Sequence, residues 1–365
     1  MADTNVATGL TVQQWDDQFF TVYLTENRYA GEMGTDENSI IQVKEDLTKK
    51  AGDSVTFALV NKLTNNAVTG SNVLEGNEER MDSRSFRLYV DKRRNAVRVA
   101  EIDEQYSAIN LRRAAKAVLK DWSMKDTEGL IEKALGSING VNLADASEAQ
   151  KDAWLTDNTD RVYDPSGTNG TDHSAIWDAL DSTNDLLTLA DLDAMKLKAL
   201  TVANPKIRPI RTAENGRHYY VVYIHPLAFR DLKNESNSPL RQAQREVSLE
   251  MENNRLFQGG DMLWNGMILK EAHGLYDTHT LTGEGASGTT TVVPVFMCGA
   301  QAVGAAYAKR WRSREETFDY GDKQGLAIDA IYGIKKMQFG SGTGDTDDLK
   351  DHGVLTGYFA SSTTS

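Results

Sequence analysis

A single cysteine, Cys298, stands in 365 residues, which excludes an internal disulfide and any multi-cysteine zinc site. Positive charge is also short: 40 Lys and Arg face 53 Asp and Glu, for a net charge of −13. Attraction to phosphate dominates non-specific nucleic-acid binding, so this balance argues against a generic nucleic-acid binder. Nowhere do ~20 apolar residues follow one another, the length needed to cross a bilayer. The opening MADTNVATGL lacks the basic and apolar regions of a secretory leader, which predicts a chain made and kept in the cytosol. Catalytic signatures are missing too: there is no HExxH, no Walker A loop, no GxSxG and no GxGxxG.

The reactive residue types that remain do not converge in sequence. His173, His218, His225, His273, His279 and His352 are scattered; His273 and His279 come nearest to a ligand pair but lack a third partner, and the histidines read as loop or surface residues. Cys298, between Met297 and Gly299, reads as a buried, inert thiol. Asp157, Asp160 and Asp164 share a stretch with Pro165, Gly167 and Gly170 but lack DxDxDG spacing, so Asp157 to Thr171 reads as an exposed loop. Trp122, Trp154, Trp177, Trp264 and Trp311 read as core or subunit-interface packing. Three basic clusters (Lys92, Arg93, Arg94; Lys206, Arg208, Arg211; Lys309, Arg310, Arg312, Arg314) read as solvated faces or as interfaces for acidic neighbours. No catalytic, cofactor-binding or metal-binding residue is assigned.

What is present is patterning. The length allows one large or two linked domains with a sizeable core. Val12, Trp15, Phe19 and Val22 predict an amphipathic helix that packs on its own domain or on a neighbour. Val55, Phe57 and Leu59 alternate, as do Phe86, Leu88 and Val90, which predicts a long two-stranded arm. The residues from Asn61 to Arg84 between them are polar and cannot fill a core. An isolated hairpin is marginal in water, so the arm needs a surface to lie on, and the simplest candidate is a neighbouring copy. Asp103 to Leu135 contains no proline and places Leu111, Ala115, Val118 and Trp122 on one stripe, predicting a helix ~50 Å long. Further helices are expected at Ile176 to Leu187, Leu189 to Leu200, Leu227 to Leu232 and, with small residues, Ala300 to Lys309. Tyr219 to Ile224 and Val292 to Cys298 read as buried strands, Val354 to Ala360 as a last apolar stretch, and Asp345, Asp347 and Asp348 as a Gly/Thr-rich loop.

Six ordered blocks also carry a resemblance: NSIIQVKEDLTKKAGDSVTF from Asn38, LEGNEE from Leu74, RNAVRV from Arg94, YYVVYIHPLAFRDL from Tyr219, FDYGDKQGLAIDAIYGIKK from Phe318 and DHGV from Asp351. Together they resemble the major capsid proteins of tailed bacteriophages, in particular the coliphage N-four-like family. The resemblance implies a mixed α/β (α+β) fold of the Hong Kong 97 type. Its parts would be an N-terminal arm (1–50), an extended hairpin loop (51–101), a spine helix with part of the peripheral and axial domains (102–240), and the remainder of those domains (241–365). It implies a non-enzymatic shell protein that self-assembles through hexamers and pentamers around double-stranded DNA, without sequence-specific DNA binding or a membrane. A scaffolding protein, a portal and a decoration protein would be candidate partners, and the virion, with the host cytoplasm during assembly, the location. The short stretch ahead of the first block predicts no long N-terminal scaffolding segment. The alternatives are an encapsulin-like nanocompartment shell, which shares the fold, and a metal-dependent hydrolase using the Asp-rich loops.

Overall fold

Period-two alternation and buried apolar runs both end up as strands here, and two sheets organise the chain. The computed structural model describes residues 28–45, 47, 52–60, 67–70, 73–76, 78–79, 83–107, 110–168, 170–211, 217–234, 262–341 and 346–362. The helix expected around Val12 to Val22, and Asp345, lie outside these residues. In chain order the first half contains β1 (Met33–Gly34), β2 (Ile41–Lys44), β3 (Ser54–Val60), β4 (Ser83–Tyr89), β5 (Asp91–Ala100), α1 (Glu101–Tyr106), α2 (Leu111–Leu135), α3 (Glu148–Asp157), β6 (Val162–Tyr163), α4 (His173–Ala179) and α5 (Leu189–Thr201). Then come β7 (Ile210–Arg211), β8 (His218–Ile224), α6 (Pro226–Asn234), β9 (Met262–Trp264), β10 (Met267–Glu271), α7 (Leu275–His279), β11 (Thr291–Cys298), β12 (Val303–Phe318), β13 (Lys323–Lys336), β14 (Gln338–Ser341), β15 (Asp347–Asp351) and β16 (Val354–Ser361).

One sheet has five strands in the order β1-β2-β12-β13-β5. The other runs β6-β16-β11-β8-β10-β9, with β7 beside β8. Both expected buried strands are there, β8 and β11, paired antiparallel from Val295 opposite Ile224 to Cys298 opposite Val221. Two-stranded pairs β3-β4 and β14-β15 complete the β structure. Pro226 opens α6, where its missing N–H is not needed.

The long helix is shorter than expected and turned on its axis. Residues 101–106 form α1, and α2 restarts at Leu111, where the Asn110 side chain accepts from Arg113 N at 2.9 Å. Val118 is 63% exposed; the buried stripe runs Ala115, Leu119, Ser123, Thr127, Ile131 and Leu135, with Glu132 and Ala134 buried beside its end. A four-residue interval on a helix of 3.6 residues per turn rotates the buried stripe by about 40° per step. The stripe therefore winds around α2. Its first part meets the five-stranded sheet, with Trp122 edge-on to Trp311 at 5.8 Å and Thr127 Oγ1 3.3 Å from Tyr332 OH. Its last part meets Tyr29 and α7.

Four more expectations are corrected. Ala300 to Lys309 is not a helix: from Val303 it is the central strand β12, because the small residues let neighbours close in. A Cβ on Gly304 would come within 3.2 Å of both Phe57 and Met337, so packing overrides the helix propensity of alanine. Asp157 to Thr171 is only partly exposed: Asn158, Arg161 and Val162 are buried. The Asn158 side chain donates to Trp154 O and Leu349 O and accepts from Asp351 N, and the Arg161 guanidinium donates to His352 O at 2.8 Å and Pro205 O at 2.5 Å. Asp347 and Asp348 lie in strand β15. The helix expected from Ile176 to Leu187 stops at Ala179.

Candidate functional site

Among the described residues, the ligand-type side chains are engaged in structural contacts. His273 is exposed, while His279 is buried with Nε2 2.8 Å from Glu132 O, so the two do not form a ligand pair. The surface reading of the histidines fails at three positions, since His173, His225 and His279 are all buried. Burial pulls His225 down to about 4; Nδ1 accepts from Leu227 N and Nε2 donates to Thr280 Oγ1 at 2.9 Å. Cys298 is buried and its thiol is pushed well up by desolvation.

One cluster of ligand-type groups lies at the junction of α3 and α4: Asp152, Asp172 and His173. Its atoms are already engaged. His173 Nδ1 lies 2.6 Å from Asp152 Oδ1 and Nε2 lies 2.8 Å from Glu148 Oε2, while Asp172 caps α4 through Ser174 N and Ala175 N. The side-chain bond from His173 holds the Asp152 carboxyl below its ordinary range. The cluster fastens two helix ends. A histidine at the first position of a helix, straight after an Asp cap, was the available signal for it.

The feature with a surface to offer is the hairpin β3-β4. Val55 sits opposite Leu88, Phe57 opposite Phe86 and Leu59 opposite Arg84 in the two-stranded arm that the alternating runs predict. Its seat differs from expectation: the base of the arm lies on its own chain. Val55, Phe57 and Leu88 are buried against Ala306, Met337 and Phe339. Phe86 stands edge-on to Phe339 at 6.3 Å, and Lys44 Nζ lies 4.6 Å from the Phe57 ring centroid while donating to Thr56 O. At the root, a Cβ on Gly333 would come within 2.1 Å of Tyr89 O, so only glycine admits the strand turn there. Beyond the seat, several described residues of the hairpin are solvent-exposed. Val60, Val73 and Leu74 are 54%, 67% and 63% exposed, and Glu75 and Glu78 are exposed beside them.

The basic clusters find partners within the chain. Arg93 meets Asp126 at 2.6 Å, Arg310 meets Glu45 at 2.7 Å, and Arg312 and Arg314 share Asp329 at 2.7 and 3.4 Å. The two arginines hold Asp329 below its ordinary range against the opposing effect of burial. Arg208 donates to Glu37 O. Arg93, Arg310, Arg312 and Arg314 thus tie their strands to neighbouring elements.

The family described as phage capsid protein matches residues 3–363. The chain belongs to the phage capsid protein family. This capsid protein is 29% identical over 344 residues to the major capsid protein of Pseudomonas phage KPP25, an alignment covering 90% of this chain and 89% of the relative. Among solved structures it resembles the cyanophage Pam1 capsid asymmetric unit, with 29% identity, TM-score 0.78 and full coverage of both chains. The fold is also that of the Ralstonia phage GP4 capsid, with TM-score 0.77 and 21% identity over 92% of each chain. The capsid protein is thus a major capsid protein of a bacteriophage, a self-associating component of the virion and not an enzyme. Its mixed α/β fold is that of phage capsid structures, as the resemblance implies.

Proposed function

We propose that this capsid protein builds an icosahedral shell through hexameric and pentameric rings and encloses double-stranded DNA without reading its sequence. The observation that carries this reading is the hairpin: a base anchored on its own chain and a tip that exposes Val60, Val73 and Leu74. Burying such side chains is worth roughly 25 cal/mol per Å² of apolar surface, and the proposed partner is another copy in the ring. Many modest contacts repeated around rings then add by multivalency. In this reading residues 1–50 are the N-terminal arm, 51–101 the extended loop, and α2 the spine of a Hong Kong 97-type subunit. The peripheral and axial domains take up 102–240 and 241–365. Among phage capsid proteins the coliphage N-four-like group is the proposed subfamily. A scaffolding protein, a portal and a decoration protein are the further proposed partners, met in the host cytoplasm. Among the described residues no helix is long and apolar enough to cross a membrane.

Electron cryomicroscopy of the purified chain, with and without Val73→Asp plus Leu74→Asp, tests this. The unaltered chain is expected to give closed shells with five- and six-fold capsomers, and the double variant folded subunits without shells. Shells of normal yield from the double variant would remove the hairpin tip from the assembly contact.

A further inference from the structure

At the C-terminal end of α2 three parts of the chain converge on one buried carboxyl. Glu132 is 5% exposed. Its Oε1 accepts from Tyr29 OH at 3.1 Å, and on its other side the backbone of Gly274 closes in so tightly that a Cβ there would lie 2.0 Å from Oε2. His279, one helical turn on in α7, is bonded through Nε2 to Glu132 O and leaves no room for a Cβ on Gly136. Tyr29 is the lid over this site. It is 4% exposed, edge-on to Tyr223 at 5.4 Å, and belongs to residues 28–34. Backbone bonds from Glu32 N and Met33 N to Tyr29 O, the two-residue pairing of β1 with β2, the Glu32–Lys270 ion pair at 2.7 Å and the Arg28 N bond to Glu128 hold that segment.

We propose that Glu132 is a protonation-operated latch: neutral, it seats Tyr29 and fastens residues 28–34 to the end of the spine helix; charged, it loosens them. Geometry supplies the reason. Among the described residues, a carboxylate formed here has one hydrogen-bond donor and no cation within ion-pair distance, with glycine backbone against its second oxygen, so a buried charge is relieved by admitting water where Tyr29 sits. The surrounding groups set the direction. Burial raises the carboxyl to about 7; the Tyr29 bond and Arg28 act downward, and Glu128 and Asp277 act upward. Tyr29 and Tyr223 are themselves held well up by burial and stay neutral. His279 is lowered first by burial and also by Lys336 and Lys133, so it does not supply a compensating positive charge. Glu32 is matched by Lys270.

The sign follows from linkage. The docked value lies above the ordinary 4.5, so docking is most secure below that value and weakens as pH rises towards 7. Between pH 5 and pH 8 the opening equilibrium is expected to rise about tenfold or more. Residues 28–34 root the proposed N-terminal arm, yet the latch can be read whether or not that arm reaches a neighbour.

Hydrogen exchange by mass spectrometry on the unassembled full chain, comparing it with Glu132→Gln at equal pH so that intrinsic rates cancel, tests the latch. The peptide spanning 28–34 should exchange at the same rate in both at pH 5 and at least tenfold faster in the unaltered chain at pH 8. Equal rates at pH 8, or loosening of the variant at both pH values, would overturn the proposal. If Glu132→Gln does not fold, the unaltered chain decides alone: exchange of 28–34 relative to intrinsic rates must rise between pH 5 and 8, and a flat ratio overturns the latch.

Discussion

Lys336 and Asp351 have side chains 2% and 1% exposed and meet at 2.7 Å, with Gln338 donating to the same carboxylate and the Trp154 ring 5.2 Å from the ammonium. Two charges taken out of water are balanced chiefly by each other, so removing one partner largely strands the other. Lys336→Met is expected to cost about 3–5 kcal/mol, and the double change Lys336→Met with Asp351→Leu to recover most of that loss; urea unfolding of the unassembled subunit measures both. A double variant as unstable as the single would show that the site needs its charges for packing and not merely for mutual neutralisation. None of this was readable in the sequence. Asn158 and Arg161 sit among polar and turn-forming residues, and what buries them is backbone 191 positions away, at Leu349 and His352. Local composition has no access to such partners. Cys298, by contrast, was legible, because Phe296 and Met297 already announce a buried strand.

Elements followed the same division. The β3-β4 hairpin, β8 and β11 were visible because period two and unbroken apolar runs are local signals. The strand β12 was misread as a helix because alanine and glycine there answer to a distant demand, room for Phe57 and Met337. The hairpin also divides into a seat and a projection with different roles. Replacing residues 61–82 with a short Gly/Ser turn leaves Val55, Phe57, Phe86 and Leu88 on their own chain. The expected product unfolds as one cooperative transition within a few degrees of the unaltered subunit but forms capsomers poorly. Calorimetry and size-exclusion chromatography check the two halves of that statement, and loss of the cooperative transition would return the projection to the core.

For the whole molecule, net charge −13 means that like-charged copies must approach one another. If the acidic tip at Glu75, Glu78 and Glu79 meets basic residues of a neighbouring copy, each exposed pair is worth only ~0.2–1 kcal/mol, repeated around the ring of the proposed shell. Changing the three together to Lys is expected to impair capsomer formation at ~0.1 M salt, where the Debye length is ~10 Å, and to matter less at ~1 M, where it is ~3 Å. Sedimentation velocity at the two salt concentrations reads this; assembly of the variant equal to the unaltered chain at low salt would dismiss the tip as an electrostatic contact. Strand order carries one more consequence. The five-stranded sheet joins β1, β2 and β5 to β12 and β13, so its centre is supplied by residues 303–336. At ~5–20 residues per second of translation, a nascent chain holds its hairpin and spine without the sheet they rest on until residues 303–336 have been made. A chain cut short by a stop codon or a protease never acquires the seat at all.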